Sequence, residues 1–319
     1  MSAVFLDIAT VGPDEVDVSP LRMAVPSLAV HNFTRPEDVR DRVKDAEYIF
    51  LNKVRVTREV IEAAERLRYI GLIATGTDNI DLVAAKERQV AVTNIRAYCT
   101  ASLVEHTFGV LLYMARNIGR YTASVRAGNW QQASDFCMLD FPIRSLSAMT
   151  LGIVGHGNLG KGVARMAKAF DMQVLIARRG RKSATNGDGR VDVDELLARS
   201  DVISLHCPLT AETENLIGSR ELALMKQDAM LINTARGGLV DSTALVAALK
   251  SGRIGAAAID VLRQEPPADG DPLLEYTGEN LIVTPHNAWG AIEDRQNAIN
   301  EVAANVAAFI SGETRNRVV

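Results

Sequence analysis

Short apolar runs alternate with segments whose apolar residues recur at helical spacing along almost the whole chain, the pattern of parallel β/α units. In the first hundred residues Val4–Ile8, Ser27–Val30, Tyr48–Leu51, Tyr69–Ile73 and Val90–Asn94 read as strands. Between them "TREVIEAAERL" and "NIDLVAAKERQ" have a helical period and polar starts. From Thr150 the alternation becomes regular, predicting strands near 150–154, 173–177, 202–205, 229–233, 255–259 and 281–284 with a helix in nearly every gap. Six strands so spaced fit a doubly wound sheet. The pattern predicts two α/β domains, the second beginning near Tyr98.

Two stretches break the rhythm. Ser102 and Glu105 have capping-box spacing, which predicts a helix from there to about Arg116. Residues 118–149 then show little periodicity but hold Tyr121, Trp130, Phe136 and Phe141. So long an irregular stretch is uncommon inside a compact domain. It reads either as an arm lying on a second subunit, which predicts a homodimer, or as a loop covering its own domain. Ala291 to Ile310 reads as one closing helix, ended by Gly312.

Composition narrows the classes. A chain of 319 residues is long enough for two cores. A net charge of −4 argues against a nucleic-acid partner. Cys99, Cys137 and Cys207 lack zinc or redox spacing and suit reduced thiols. The N-terminus has no basic leader pattern, and the apolar run 108–115 is too short to span a bilayer. A cytoplasmic protein with no membrane partner is expected. The histidines are scattered without ligand spacing, so no metal is expected either.

Chemistry first appears in "LGIVGHGNLG", where Gly155, Gly157 and Gly160 have G-x-G-x-x-G spacing between a strand and the helical pattern "KGVARMAKAF". The first glycine permits the tight turn, the second lets backbone approach a pyrophosphate, and the third lets helix and strand pack closely. The helix N-terminus then offers free amides to the phosphates. An acid commonly follows at the end of the second strand to bind ribose hydroxyls. Here that position is Arg178, and Arg179, Arg181 and Lys182 crowd beside it. Arginine forms charge-assisted bonds with a 2′-phosphate, worth roughly 1.5–3 kcal/mol. The cluster therefore favours NADP(H), with NAD(H) still possible. The competing reading is a solvated basic loop. Asp188 is too deep in the following glycine-rich segment to be the missing acid.

In order and spacing, "ATGTDNID", "LHCPLTAETENLI", "LINTARGGLVD", "AAIDVLRQEP" and "TPHNAWG" resemble the D-isomer-specific 2-hydroxyacid dehydrogenase family over nearly the whole chain. "ATGTDNID", "AYCTAS", "DFC" and "PHNAW" are most similar to its glycerate dehydrogenase/hydroxypyruvate (glyoxylate) reductase branch. The resemblance implies an α/β fold in two domains. A flavodoxin-like substrate domain would comprise residues 1–97 plus 291–319, and a Rossmann dinucleotide-binding domain residues 98–290. Closure of the two over substrate is expected by analogy.

Reduction of a 2-keto acid needs a cation for the carboxylate and a proton donor for the carbonyl oxygen. Arg236, past an apolar run, offers a planar fork for the carboxylate. His286 can donate and recover a proton near neutral pH. Glu265 can accept a bond from the second imidazole nitrogen and fix the tautomer. Taken singly, Arg236 reads equally as a surface arginine, Glu265 as a solvated acid and His286 as a packed histidine. The family's catalytic trio maps onto these three residues.

By resemblance alone, Asn52, Thr75 and Gly76 belong to the substrate pocket, with Trp289 either its wall or simple packing. Asn158 and Leu159 would face the pyrophosphate. Cys207, Pro208, Thr213 and Thr234 would line the rest of the cofactor, and Asp260 would bond the nicotinamide amide or merely cap a turn. His106 reads as packed, and His206 as structural or cofactor-adjacent. The reading that results is an oxidoreductase reducing hydroxypyruvate or glyoxylate, or oxidising D-glycerate in reverse. The alternatives are the same scaffold acting on a bulkier 2-keto acid, or a dinucleotide-sensing, corepressor-like binding protein without turnover.

Overall fold

The computed structural model describes residues 2–180 and 189–319. The chain forms two compact units, one of residues 1–99 with 290–319 and one of residues 100–289. Each is built around an all-parallel sheet covered by helices, the α/β architecture.

In the first unit the strands are β1 (Ala3–Phe5), β2 (Leu28–Val30), β3 (Tyr48–Leu51), β4 (Tyr69–Leu72) and β5 (Ala91–Thr93). Their order β2-β1-β3-β4-β5 is the flavodoxin-like one. β3 and β4 are buried at every position, as expected of strands covered on both faces. The helix Ile292–Ile310 packs back onto this unit. Its Phe309 ring lies 4.9 Å from that of Tyr69, whose hydroxyl pairs with Thr93 at 2.6 Å. Gly312 ends this helix at φ 84°, and the following tail pairs antiparallel with β5 through Arg317 and Thr93.

In the second unit the strands are β6 (Thr150–Val154), β7 (Gln173–Ile176), β8 (Val202–Leu205), β9 (Met230–Asn233), β10 (Ala256–Ile259) and β11 (Leu281–Val283). They are ordered β11-β10-β9-β8-β6-β7. A parallel bridge between Ala177 and Val191 extends this edge beyond β7, where the Rossmann order has a further strand. The chain leaves β6 toward β7 and later returns to β8 on the other side. The crevice of this topological switch therefore opens at the carboxyl ends of β6 and β8.

Two expectations fail here. Ser102 is not a cap: the helix begins at Thr100 and runs to Ala115. The Ser102 hydroxyl is buried inside it and donates to the Ala288 carbonyl at 3.0 Å. A buried hydroxyl must find an acceptor, and the nearest is tertiary, not the helix start. Nor is 118–149 irregular throughout, because Ile118–Arg126 is helical. The helix buries no residue, so its weak apolar stripe was masked by polar neighbours. Beyond it the chain folds back. Tyr121 donates to the Phe141 carbonyl at 2.7 Å, and the Arg120 guanidinium lies 3.8 Å above the Phe141 ring. Phe136 and Leu139 remain 90% and 76% exposed.

Candidate active site

The loop after β6 has the constraints a phosphate loop requires. Gly155 sits at φ 99°, and a Cβ there would meet the backbone of His206 and Cys207 at 2.5 Å. A side chain is excluded on both counts. A Cβ on Gly160 would collide with the Gly155 carbonyl, so the helix can lie close against the turn only with glycine there. At Gly157, by contrast, a Cβ would meet nothing within 4 Å. This residue stands at the head of the helix Asn158–Ala169, which has no side-chain cap, so the space before its first turn is clear of side chains. That is an anion-binding arrangement.

Two buried polar atoms near the same crevice have no hydrogen-bond partner among the described residues: Nδ1 of His206 and the Thr234 hydroxyl. Such atoms normally bond something. His206 Nε2 pairs with the Ser204 hydroxyl at 2.8 Å, and desolvation pushes the imidazole down to about 4. Burial likewise pushes the Cys207 thiol up to about 11, so it is not a thiolate nucleophile. Thr213 spends its hydroxyl within its own turn, donating to the Pro208 carbonyl at 2.8 Å. Pro208 is exposed. The glycine cradle, the helix N-terminus and the orphaned Thr234 hydroxyl together fit a dinucleotide.

At the end of β7, Arg178 is not a free cation. Its Nη1 donates to Asp192 Oδ1 at 3.1 Å and its Nη2 to the Arg190 carbonyl at 3.2 Å. Arg179 is exposed. Arg181, Lys182 and Asp188 lie outside the described residues. Arg190 and Asp192 were not singled out from sequence, because residues in a charged loop reveal their partners only once the strand register is known.

The other candidates of this unit follow β9, β10 and β11 at their carboxyl ends. Asn233 is fully buried and ties the next turn together. Its Oδ1 accepts the Ala235 amide at 3.1 Å and its Nδ2 donates to the Arg236 carbonyl at 2.9 Å. Arg236 Nη1 donates to the Ala235 carbonyl at 2.7 Å. His286 Nδ1 lies 2.6 Å from Glu265 Oε2. A carboxylate only accepts, so Nδ1 carries the proton and Nε2 is left for chemistry. The Leu262 amide donates to the other carboxylate oxygen at 2.8 Å, which fixes Glu265 from behind.

His286 has a left-handed backbone, φ 52°, uncommon for a residue with a Cβ. Asp260 holds it there. The Asp260 carbonyl accepts the His286 amide at 2.8 Å. The Asp260 carboxylate accepts from the Thr284 hydroxyl at 2.6 Å, the Asn287 amide at 3.0 Å and the Ala288 amide at 3.1 Å. Trp289 donates its indole N–H to the His286 carbonyl at 3.0 Å. The His106 ring reaches the same Thr284 hydroxyl at 3.4 Å. Arg236, Glu265 and His286 thus all stand on turns at the carboxyl end of one sheet, with Glu265 and His286 in direct contact.

The remaining substrate-pocket candidates belong to the first unit and cluster there on their own. The buried Asp7 carboxylate accepts the amides of Asn52, Lys53 and Val54 at 2.8, 2.5 and 3.0 Å. Asn79 donates to the Asn52 and Val54 carbonyls at 3.1 and 2.9 Å. Thr75, beside Gly76 on the loop after β4, donates its hydroxyl to the Ile95 carbonyl at 2.9 Å. Asp7 and Asn79 went unremarked in sequence, although an acid inside an apolar strand, as in "FLDI", is a signal. Among the described residues no His, Cys, Asp or Glu group could hold a metal ion. No described helix is long and apolar enough to cross a membrane.

Comparison with known proteins agrees with this geometry. Residues 108–288 match the family of the D-isomer specific 2-hydroxyacid dehydrogenase, NAD binding domain. The chain is 44% identical over 283 residues to a glycerate dehydrogenase of Methylorubrum extorquens, covering 89% of this chain and 88% of that one. It is 34% identical over 323 residues to a hydroxypyruvate reductase of Blautia hydrogenotrophica, covering 100% and 99%. Among solved structures, an acyclic imino acid reductase in complex with NADPH and D-Arg superposes with a TM-score of 0.86 at 30% identity, each chain covered completely.

Proposed function

The chain belongs to the D-isomer-specific 2-hydroxyacid dehydrogenase family, and on that footing we propose that this NAD(P)-dependent oxidoreductase reduces hydroxypyruvate or glyoxylate with NADPH. The observation that carries the reading is the 2.6 Å pair of His286 and Glu265, on the same sheet edge as the glycine cradle. The bound nicotinamide supplies the hydride. Arg236 holds the substrate carboxylate in its planar fork. His286 gives a proton from Nε2 to the carbonyl oxygen, while Glu265 keeps the Nδ1 proton and the ring orientation fixed. Asp260, through the 284–288 turn, positions that imidazole.

Gly155, Gly157, Gly160, Asn158 and Leu159 hold the pyrophosphate in this reading, and the Thr234 hydroxyl finds its partner on the cofactor. Arg178, seconded by Arg179, takes the 2′-phosphate. Asn52, Thr75 and Gly76 are the substrate-binding candidates of the first unit, and Trp289 braces the His286 turn. The preference for small keto acids is supported by the glycerate dehydrogenase and hydroxypyruvate reductase relatives.

A homodimer completes the reading. Ile118, Val125, Trp130, Phe136 and Leu139 are exposed apolar side chains on one arm, a feature that a partner surface would cover. Sedimentation of Phe136→Asp with Leu139→Asp tests it: a shift to monomer supports the arm's role, and an unchanged dimer removes it.

The test of the activity is the initial rate of NADPH and NADH oxidation, in parallel, with hydroxypyruvate, glyoxylate and a bulky 2-keto acid. A clear NADPH preference with either small acid supports the reading. Preference for NADH would make the basic loop a solvated one, and preference for the bulky acid would move the substrate class.

A further inference from the structure

Ala177, the residue after β7, bridges in parallel to Val191. Backbone bonds hold this register on both sides. The Arg178 amide donates to the Val191 carbonyl at 2.7 Å, and the Val191 amide to the Ile176 carbonyl at 3.0 Å. Arg178 and Asp192, each one residue past the bridge, therefore lie side by side on the same face. Their contact is written into the strand register and does not depend on a chance rotamer.

The pair is unequal. The Arg178 side chain is 19% exposed and that of Asp192 is 62% exposed, so the guanidinium is walled in and the carboxylate is the outer member. Arg178 Nε is buried and has no hydrogen-bond partner among the described residues. Asp192 precedes the helix Val193–Arg199 but makes no capping bond to it, so its position is not a by-product of capping. The neighbouring acids are engaged elsewhere, Asp194 by both guanidinium nitrogens of Arg220 at 2.8 Å and Glu195 by Arg199. Arg190 also acts on the glycine loop: burial first, and then the Arg190 charge, hold the His156 imidazole below its ordinary value. Among the described residues, Arg178 thus has a single carboxylate partner, the more exposed Asp192.

We propose that Asp192 is a cofactor-specificity residue, a counter-charge that attenuates 2′-phosphate recognition by Arg178 and so narrows, without abolishing, the preference for phosphorylated over unphosphorylated dinucleotides. The inference rests on the reading of Arg178 as the phosphate's partner. A 2′-phosphate arriving at Arg178 must either displace Asp192 or accept a like charge beside it. A ribose with a free 2′-hydroxyl meets no such penalty, and Asp192 can accept its hydrogen bond. The acid that usually ends the second strand has thus been moved across the register to the next edge segment, opposite an arginine.

Calorimetric titration of the full-length protein with adenosine 2′,5′-bisphosphate and with 5′-AMP tests this without any turnover. Removing one exposed like charge in Asp192→Asn should tighten the bisphosphate about three- to tenfold and leave 5′-AMP within about twofold. Asp192→Glu should bind as wild type does, and Arg178→Ala should weaken the bisphosphate at least about tenfold. If Asp192→Asn leaves the bisphosphate unchanged or weaker while Arg178→Ala weakens it, the attenuating role is wrong and the arginine clamp stands. If Arg178→Ala changes nothing, the clamp itself falls and the inference with it. Should Asp192→Asn not fold, Asp192→Ser is read in the same way.

Discussion

The Thr284 hydroxyl donates to Oδ1 of Asp260 at 2.6 Å, and this bond joins the end of β10 to the turn that carries His286. Asp260 is 2% exposed, so its carboxylate is worth burying only because three donors of that turn converge on it. Asp260→Asn would turn an amide N–H toward at least one of these donors. We expect a loss of about 1–3 kcal/mol of stability and a larger relative fall in kcat than in cofactor affinity. Thr284→Val should give a milder version of the same split. Thermal melts and cofactor titration beside steady-state kinetics would check it, and equal loss of kcat and cofactor affinity would mean that Asp260 acts on the cofactor and not on the turn.

His286 and Glu265 should separate in kinetics by role. His286→Ala removes the proton donor, so kcat should fall about 10²- to 10⁴-fold with cofactor affinity almost intact. Glu265→Gln keeps the volume and a neutral acceptor for Nδ1 but removes the carboxylate charge beside the ring, so kcat should fall less, about ten- to a hundredfold, with little change in KM. Comparable loss in cofactor affinity for His286→Ala would assign the residue to structure instead.

Arg236 and Asn233 form a second such pair. Arg236→Ala should raise KM for the keto acid and lower kcat together, since the carboxylate anchor also sets the reacting geometry. Arg236→Lys should recover only part of this, because a point charge lacks the planar fork. Asn233→Ala leaves the Arg236 side chain in place but frees its turn and orphans a buried amide. It should cost about 1–3 kcal/mol of stability and raise KM less than Arg236→Ala. Substrate saturation curves for the three variants would decide, and an unchanged KM in Arg236→Ala would take that residue out of the site.

What the sequence made legible follows from what is local. Strand runs such as "VISL" and "MLIN" are buried along their whole length, so their composition alone announces them. The glycine loop is legible because its spacing is local, between one strand and the next helix, although the backbone that Gly155 must clear, at His206 and Cys207, is distant in sequence. Arg236, Glu265 and His286 each follow a strand, so the alternation itself marks their turns. Asp260, Asn233, Asp192 and Asn79 were invisible as positioning residues because their partners are set by register and turn geometry. Ser102 misled for the same reason: its spacing to Glu105 satisfies a local rule, but its partner is Ala288, 186 positions away. The helix at 118–126 was missed because burial, which sharpens periodicity elsewhere, is lacking there.

His206 gives the pH dependence of stability. Desolvation lowers its imidazole from an ordinary 6.5 to about 4. The unfolded chain therefore binds a proton between these values that the folded chain refuses, and stability must fall as pH drops through that window. Above 6.5 both states are neutral and the group contributes no slope; below about 4 both are charged and the loss levels off. From pH 7 to pH 5 the loss should be on the order of 2 kcal/mol. His206→Gln can retain a bond to Ser204 without the titration. Its denaturant-unfolding free energy, measured across pH 7.5 to 4.5, should therefore fall less steeply than that of the wild type, whatever its value at pH 7. Parallel curves for the two proteins would mean that His206 is not the group that titrates. With a shallower mutant curve, the neutral imidazole of His206, whose backbone lies against Gly155, becomes a condition of the fold at the dinucleotide cradle.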